Sequence, residues 1–310
     1  MLNDVLETCR YVANNSQFVS VDKQRVEEVA KELNNGAHWL ESSPYGLLDY
    51  PTEDLVNFWL IYISIGGFSF WGKPKWTVET EEGALDGAFA IMYILIHQLK
   101  KDKSFLQNEK LSFDEFAKLL DGNVEIPLLK QRYDNFIYIN EQVAENMNGN
   151  FYNYIKDIHT DTELFDVIIE QFPRVFVDKA TYKGKGVYFF KLAQLLVSDI
   201  LHIRQIKENI PVDYSHLVGC ADYKIPQVLR NLGILVYSKE LSDIIDNGVE
   251  IDAGSNYEVE IRANTIVAIN ALNDRIKDAC PIETNDSIWL KGQDKSQNPK
   301  PYHLTRTRYY

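Results

Sequence analysis

The 310-residue chain is poor in cysteine: Cys9, Cys220 and Cys280 are its only three, and no two stand at the spacing of metal ligands. So sparse and odd a count excludes a disulfide framework and reads as reduced thiols in a cytoplasmic protein. Histidine is equally thin. The six (His38, His97, His159, His202, His216, His303) include no pair four residues apart, so no metal is expected. There is no Walker A loop, and Gly66-Gly67 lacks the spacing of a dinucleotide fingerprint. Long apolar runs are missing as well. Phe58 to Ile65 is the longest, far short of the roughly 20 residues that cross a bilayer. Met1-Leu2-Asn3-Asp4 has neither the basic start nor the apolar core of a signal peptide. No membrane partner is therefore expected. Basic charge is short too: 32 Lys and Arg against 45 Asp and Glu give a net charge of −13. Binding a polyanion needs a basic face and counterion release, so polymeric nucleic acid is excluded as a direct partner. A single nucleotide is not, since one phosphate needs only a few local donors.

What the chain has in quantity is aromatic side chains, 18 Tyr, 15 Phe and 5 Trp, enough for a thick core with rings left to line a pocket. Helical periodicity dominates the rest. It predicts helices over Val5 to Ala13, from Val26 to Leu33 behind an Asp22 cap, and from Thr52 through Ile65. Others run from Gly87 to Leu99, from the capping-box start at Ser112 to Gly122, and from Ile126 to Met147. Further ones cover Leu164 to Phe172, Tyr188 to about Ile206, Leu241 to Ile245 and Ile261 to Ile276. Phe68-Ser69-Phe70-Trp71 and Trp76-Thr77-Val78-Glu79 around a Gly-Lys-Pro turn read as a small hairpin. Tyr182 to Gly186 reads as a basic turn, and Gly292 to Pro301 as a loop. The expected fold class is mainly α, one helical unit over residues 1–310 with a minor antiparallel β element. Oligomeric state is left open.

The most informative stretch is Ala221-Asp222-Tyr223-Lys224-Ile225-Pro226-Gln227-Val228-Leu229-Arg230-Asn231-Leu232-Gly233. An acid precedes a helix start, Pro226 falls in the first turn, Val228, Leu229 and Leu232 keep helical spacing, and Gly233 ends the segment. A carboxylate there feels the positive end of the helix dipole and tends to stay ionised. Two readings fit: a helix cap, or an anion held ready to face a cationic transition state.

Ala221-Asp222-Tyr223-Lys224-Ile225-Pro226-Gln227 resembles the Ala-Asp-Tyr-Arg-Val/Leu-Pro-Gln signature of the queuosine salvage proteins, N-glycosylases of queuosine 5′-phosphate. Four more segments agree in the same order. Gly67-Phe68-Ser69-Phe70-Trp71 is similar to the family's Asn-Phe-Ser-Phe-Trp. Phe190-Lys191-Leu192-Ala193-Gln194-Leu195 with Asp199 resembles Tyr-Lys-Arg-Ala-Gln-Ile with a later Asp. Glu258-Val259-Glu260-Ile261-Arg262-Ala263 matches Glu-Val-Glu-Ile-Arg, and the ending from Tyr302 to Tyr310 is close to His-Arg-Thr-Arg-x-x-Tyr-Tyr. The chain departs from the pattern at Gly67, at Leu192 and at Gly83-Ala84-Leu85, where the family has Asn, a basic residue and Gly-Tyr-Trp. Ile288-Trp289-Leu290-Lys291 only loosely echoes Leu-Trp-Asp.

The resemblance implies an architecture like that of helical DNA glycosylases, and a cofactor-free hydrolase that frees queuine from the nucleotide. Asp222 would then be the catalytic carboxylate, attacking the anomeric carbon or stabilising the ribosyl cation while water adds. Queuine is a 7-deazaguanine, so help to the leaving base must come through its six-membered ring or its cationic substituent. Asp199 and Glu260 are the carboxylates implied for it; a solvated helix residue and a salt bridge from Glu260 to Arg262 are the plain readings. Lys191 is the implied phosphate ligand, Tyr310 an implied phenol near it, and Phe70 and Trp71 implied stacking rings or core. Tyr223 and Arg262 complete the expected substrate-binding set. A hydrolase of another modified nucleoside, and a non-catalytic nucleotide-binding protein, remain the alternatives.

Overall fold

A computed structural model describes residues 1–33, 38–42, 47–81, 83–293 and 299–310. Fourteen α-helices and three two-stranded antiparallel sheets form among them, so the protein is mainly α. The helix Thr52–Gly66 is apolar on every side and is buried from Leu55 to Gly66 except at Asn57. It lies against Lys191–Glu208 and Leu129–Asn146, while Glu53 and Asp54 occupy its first turn, where the dipole favours acids. Each Leu, Ile or Phe so buried stabilises the fold by about 1.5–3 kcal/mol.

Two apolar cores result. The larger gathers the helices Leu2–Asn15, Thr52–Gly66, Gly87–Lys101 and Lys191–Glu208; the smaller gathers Lys23–Val29, Lys224–Asn231 and Lys239–Asp246. The helix Asn256–Asn273 serves both, sending Val259, Ala263 and Ile266 into one and Ile261, Ala268 and Leu272 into the other. That double duty explains its burial on both faces. Among the described residues no helix is long and apolar enough to cross a membrane.

The structure differs from the sequence reading at several points. The hairpin pairs Thr77–Thr80 with Gly83–Asp86, and Phe68 to Trp71 is not part of it. Ser69 instead exchanges hydrogen bonds with Thr307, its N–H to the Thr307 carbonyl at 3.1 Å and the Thr307 N–H to its hydroxyl at 3.1 Å. The basic turn at Lys183-Gly184 closes a second hairpin, Lys179–Tyr182 with Lys185–Tyr188, and the helix beyond starts only at Lys191. The long helix begins at Leu129, behind Pro127 and a left-handed Leu128, and not at Ile126. Val19–Val21 pairs with Leu235–Tyr237, a partnership more than 200 positions apart that no local pattern announces. Residues 294–298 of the expected loop from Gly292 to Pro301 lie outside the described residues.

Candidate active site

Asp222 owes its position to four side chains that grip the chain before it. Gln194 accepts from Val218 N–H at 2.8 Å and donates to Gly219 carbonyl at 3.0 Å. Asn270 donates to Val218 carbonyl at 2.9 Å, and Asn285 accepts from Cys220 N–H at 3.0 Å. Arg262 Nε donates to Ala221 carbonyl at 3.2 Å. All four are buried, where satisfied polar networks rigidify a segment. Gly219 has φ +107, and a Cβ there would meet Ile269 at 2.9 Å, so only glycine lets the segment pass this close.

Beyond this clamp the Lys224–Asn231 helix begins, and Asp222 Oδ1 accepts from the N–H groups of Lys224 at 2.8 Å and Ile225 at 2.7 Å. One oxygen thus caps the helix. Oδ2 has no hydrogen-bond partner among the described residues, on a residue that lines a cavity. Cap and cavity-facing anion are therefore one arrangement. Burial pushes the Asp222 carboxyl above its ordinary range, against the pull of Lys191 and the two N–H groups. The expected effect of the helix start is present, but desolvation outweighs it.

Lys191 is buried and lines the same cavity, at the first position of its helix behind a left-handed Phe190. Its N–H donates to Asp178 Oδ2 at 3.3 Å, and that buried carboxylate also takes a bidentate pair from Arg262. Asp178 and Arg262 therefore tie the wall carrying Lys191 to the wall carrying Asp222. Arg262 also lies 3.5 Å from Glu258, and it does not line the cavity.

Phe70, Tyr223 and Tyr310 are brought to the cavity with Lys191 and Asp222. The Tyr310 phenol is already engaged, donating to Glu258 at 3.1 Å with His303 Nε2 at 3.2 Å, so its ring rather than its hydroxyl faces the space. Arg132, buried, braces the Phe68–Phe70 wall by donating to the carbonyls of Ile65, Ser69 and Pro127 and lying 4.4 Å from the Phe70 ring centre. Burial lowers its pKa to about 9. Trp71 lines an adjoining cavity instead, with Arg306 4.6 Å over its ring.

Two candidates are placed elsewhere. Glu260 accepts from the N–H groups of Gln17, Phe18 and Val19 at 3.0, 2.7 and 3.2 Å and from the Tyr182 hydroxyl at 2.7 Å. It pins the entry of the Val19–Val21 strand and makes no salt bridge with Arg262, which two residues on points to another side of the helix. Asp199, fully buried and not solvated, accepts from the indole N–H of Trp39 at 2.8 Å and of Trp59 at 2.6 Å. It stands behind Trp39, and Trp39 lines the cavity.

The sequence reading missed Asp286, on the Pro281–Lys291 helix. It lines the cavity, accepts from Trp39 N–H at 3.3 Å and from the Asn285 amide at 3.2 Å, and burial pushes its pKa up to about 7. It stands two residues ahead of Ile288-Trp289-Leu290-Lys291, and nothing in that run marks it. His38 is buried, 3.9 Å from Asp286 and stacked at 3.9 Å on His202. Asp161, Asp213 and His216 are grouped closely enough to hold a cation, but they share no residue with the cavity lining.

Gly67, where the chain departs from the family pattern, lines this cavity, and a Cβ there would lie 2.1 Å from Cδ2 of Leu192, a second departure.

Residues 49–310 match the family model described as queuosine salvage protein. A protein of Sphaerobacter thermophilus is 33% identical over 99% of this chain and 97% of its own length. One from Mus musculus is 27% identical over 98% of both chains, and one from Schizosaccharomyces pombe 24% over 93% of this chain and 91% of its own. All three bear the name queuosine 5′-phosphate N-glycosylase/hydrolase.

Proposed function

The chain belongs to the queuosine salvage protein family, and on that premise we propose that it hydrolyses the N-glycosidic bond of queuosine 5′-monophosphate, releasing queuine for salvage into tRNA modification. The observation that carries the reading is Asp222: one oxygen locked by two backbone N–H groups, the other unpartnered among the described residues, on a cavity it shares with Lys191 and Asp286.

Cleavage of the bond from the anomeric carbon to the base nitrogen leaves its electron pair on the base and a cationic ribosyl centre. Asp222 supplies the negative charge that centre needs, and a preorganised anion in a site of low dielectric costs no reorganisation as the charge develops. Capture by the carboxylate and delivery of water both use the same oxygen. Water ends as the hydroxyl on the sugar, and its second proton balances the one taken by the base. Asp286, half protonated near neutral pH, is the acid for that base; a general acid works best with a pKa near the working pH. Lys191 holds the sugar side of the substrate beside Asp222. Asp199 acts through Trp39, which it orients, and Phe70 and Tyr223 offer faces to the deazapurine.

Chromatography of the purified protein with queuosine 5′-monophosphate, in buffer free of added metal or cofactor, tests the reaction. Queuine and ribose 5-phosphate in equal amounts are expected. Tight binding with no product would make the protein a nucleotide carrier instead.

A further inference from the structure

Two buried titratable groups, His38 and His202, take no part in the chemistry at Asp222. Their rings stack 3.9 Å apart and 6° from parallel. His202 Nε2 lies 2.9 Å from Glu41 Oε1, at the exposed side of the stack. On the other side His38 meets two carboxyl groups, and one hydrogen bond fixes its tautomer. Nδ1 accepts from Leu40 N–H at 3.3 Å, so in the neutral ring the proton sits on Nε2. That N–H has three oxygens around it: Ser198 Oγ at 3.2 Å, Asp199 Oδ1 at 3.6 Å and Asp286 Oδ2 at 3.9 Å. Burial holds the His38 pKa well below the ordinary imidazole value, and the neighbouring His202 lowers it further.

Asp286 has the surroundings of an acid that keeps its proton. Its hydrogen bonds from Trp39 N–H at 3.3 Å and the Asn285 amide at 3.2 Å are longer than the roughly 2.7–2.9 Å that a carboxylate anion draws. The titratable groups around it come from several elements. Asp199 and Lys191 stand on one helix, Tyr214 and Cys220 on the segment before Asp222, Glu283 on the helix of Asp286 itself, and the histidine stack with Glu41 behind. Asp199 and Glu283 both oppose a negative charge at Asp286. When Asp286 gives its proton to the base, the new anion therefore needs a donor. An approach of about 1 Å from the present 3.9 Å brings His38 Nε2 to hydrogen-bond distance. A charged imidazole would serve worse, because it would hold Asp286 ionised and strip it of the proton the base needs.

We propose that His38 is the positioning residue for Asp286: a neutral donor whose Nε2–H passes from Ser198 to Asp286 as the base takes the Asp286 proton, with the His202 ring stacked on it to keep it neutral. The inference rests on the function proposed above and deepens it. The proton balance is that of the hydrolysis: the base gains the Asp286 proton, and Asp286 regains one from the water that adds to the sugar. His38 engages Asp286 only once charge has formed there, so it favours the transition state over the bound substrate.

His38→Phe keeps a flat ring against His202 without the donor, His38→Leu removes ring and donor, and His38→Gln restores an N–H near the place of Nε2. Titration of the Asp286 carboxyl by carbon-13 NMR, assigned through Asp286→Asn, reads the pairing without substrate. Loss of a donor to the anion raises the pKa of its acid. The carboxyl should therefore titrate about one pH unit higher in His38→Phe and His38→Leu, a tenfold change in its ionisation constant. In both, kcat for queuosine 5′-monophosphate should fall about tenfold with KM little changed, as loss of a hydrogen bond to a charged group predicts. The alkaline limb should move up by the same unit, and His38→Gln should restore rate and limb together. A carboxyl titration unmoved in the folded variants would overturn the proposal, as would a loss confined to KM or one that His38→Gln fails to rescue. Should the native protein leave queuosine 5′-monophosphate intact, the proposed function fails, and the NMR titration still decides whether His38 serves Asp286.

Discussion

Replacing Asp222 with asparagine removes one charge and almost nothing else. The amide oxygen can still accept from Lys224 and Ile225, so the helix keeps its cap and the grip on residues 218–221 is untouched. At a separation of about 4 Å and an effective dielectric near 20, a carboxylate attracts a unit positive charge by about 4 kcal/mol. Each 1.36 kcal/mol is a factor of about ten in rate, so kcat should fall about 10³-fold. The ground-state nucleotide carries no positive charge at the anomeric carbon, so its affinity should change less than about tenfold. Single-turnover release of queuine gives the first quantity and calorimetry with the intact nucleotide the second. A variant that keeps more than about a tenth of native kcat, or loses binding in step with turnover, refutes the role given to Asp222.

Three further outcomes follow from the same geometry. Asp286 acts protonated, and its pKa is pushed up to about 7, so kcat should fall as the pH rises through 7. Asp286→Asn should be slow throughout and lose that limb; an unchanged alkaline limb would discard Asp286 as the acid. Asp222 acts ionised from a pKa raised by burial and pulled down by Lys191, so activity should fall toward acid at a pH above the ordinary carboxylate range. Lys191→Met should move that acid limb to higher pH, and an acid limb that stays put would refute the coupling. Arg262→Met strips the counter-charge from buried Asp178 and Glu258 and should cost about 3–5 kcal/mol in urea unfolding; a loss below about 1 kcal/mol would refute its place at the centre of the frame.

Local chemistry was legible in the sequence. The capping box at Ser112 and Glu115 and the Asp22 cap both form, and the helices from Thr52 and Gly87 begin where their patterns place them. Segments whose partners lie far along the chain were not. Phe68 to Trp71 carries the aromatic density of a strand, yet its partner is Thr307, and Val19–Val21 finds its mate at Leu235–Tyr237. The site divides the same way. Asp222 announces itself through helix-start signals, and Lys191, Phe70, Tyr223 and Tyr310 share its cavity. Glu260 misleads because Arg262 is its neighbour in sequence, while its hydrogen bonds run to residues 17–19. Asp286 and Asp178 leave no local trace, since burial and fixed partners single them out, and those are properties of the packed structure.

The central claim is that Asp222 faces the anomeric carbon, and the crystal structure of the Asp222→Asn variant with intact queuosine 5′-monophosphate measures it directly. The account predicts that carbon within about 3.5 Å of the side chain at position 222, a near-attack distance, with the base against Asp286. A nucleotide bound with its anomeric carbon beyond reach of position 222 would contradict it.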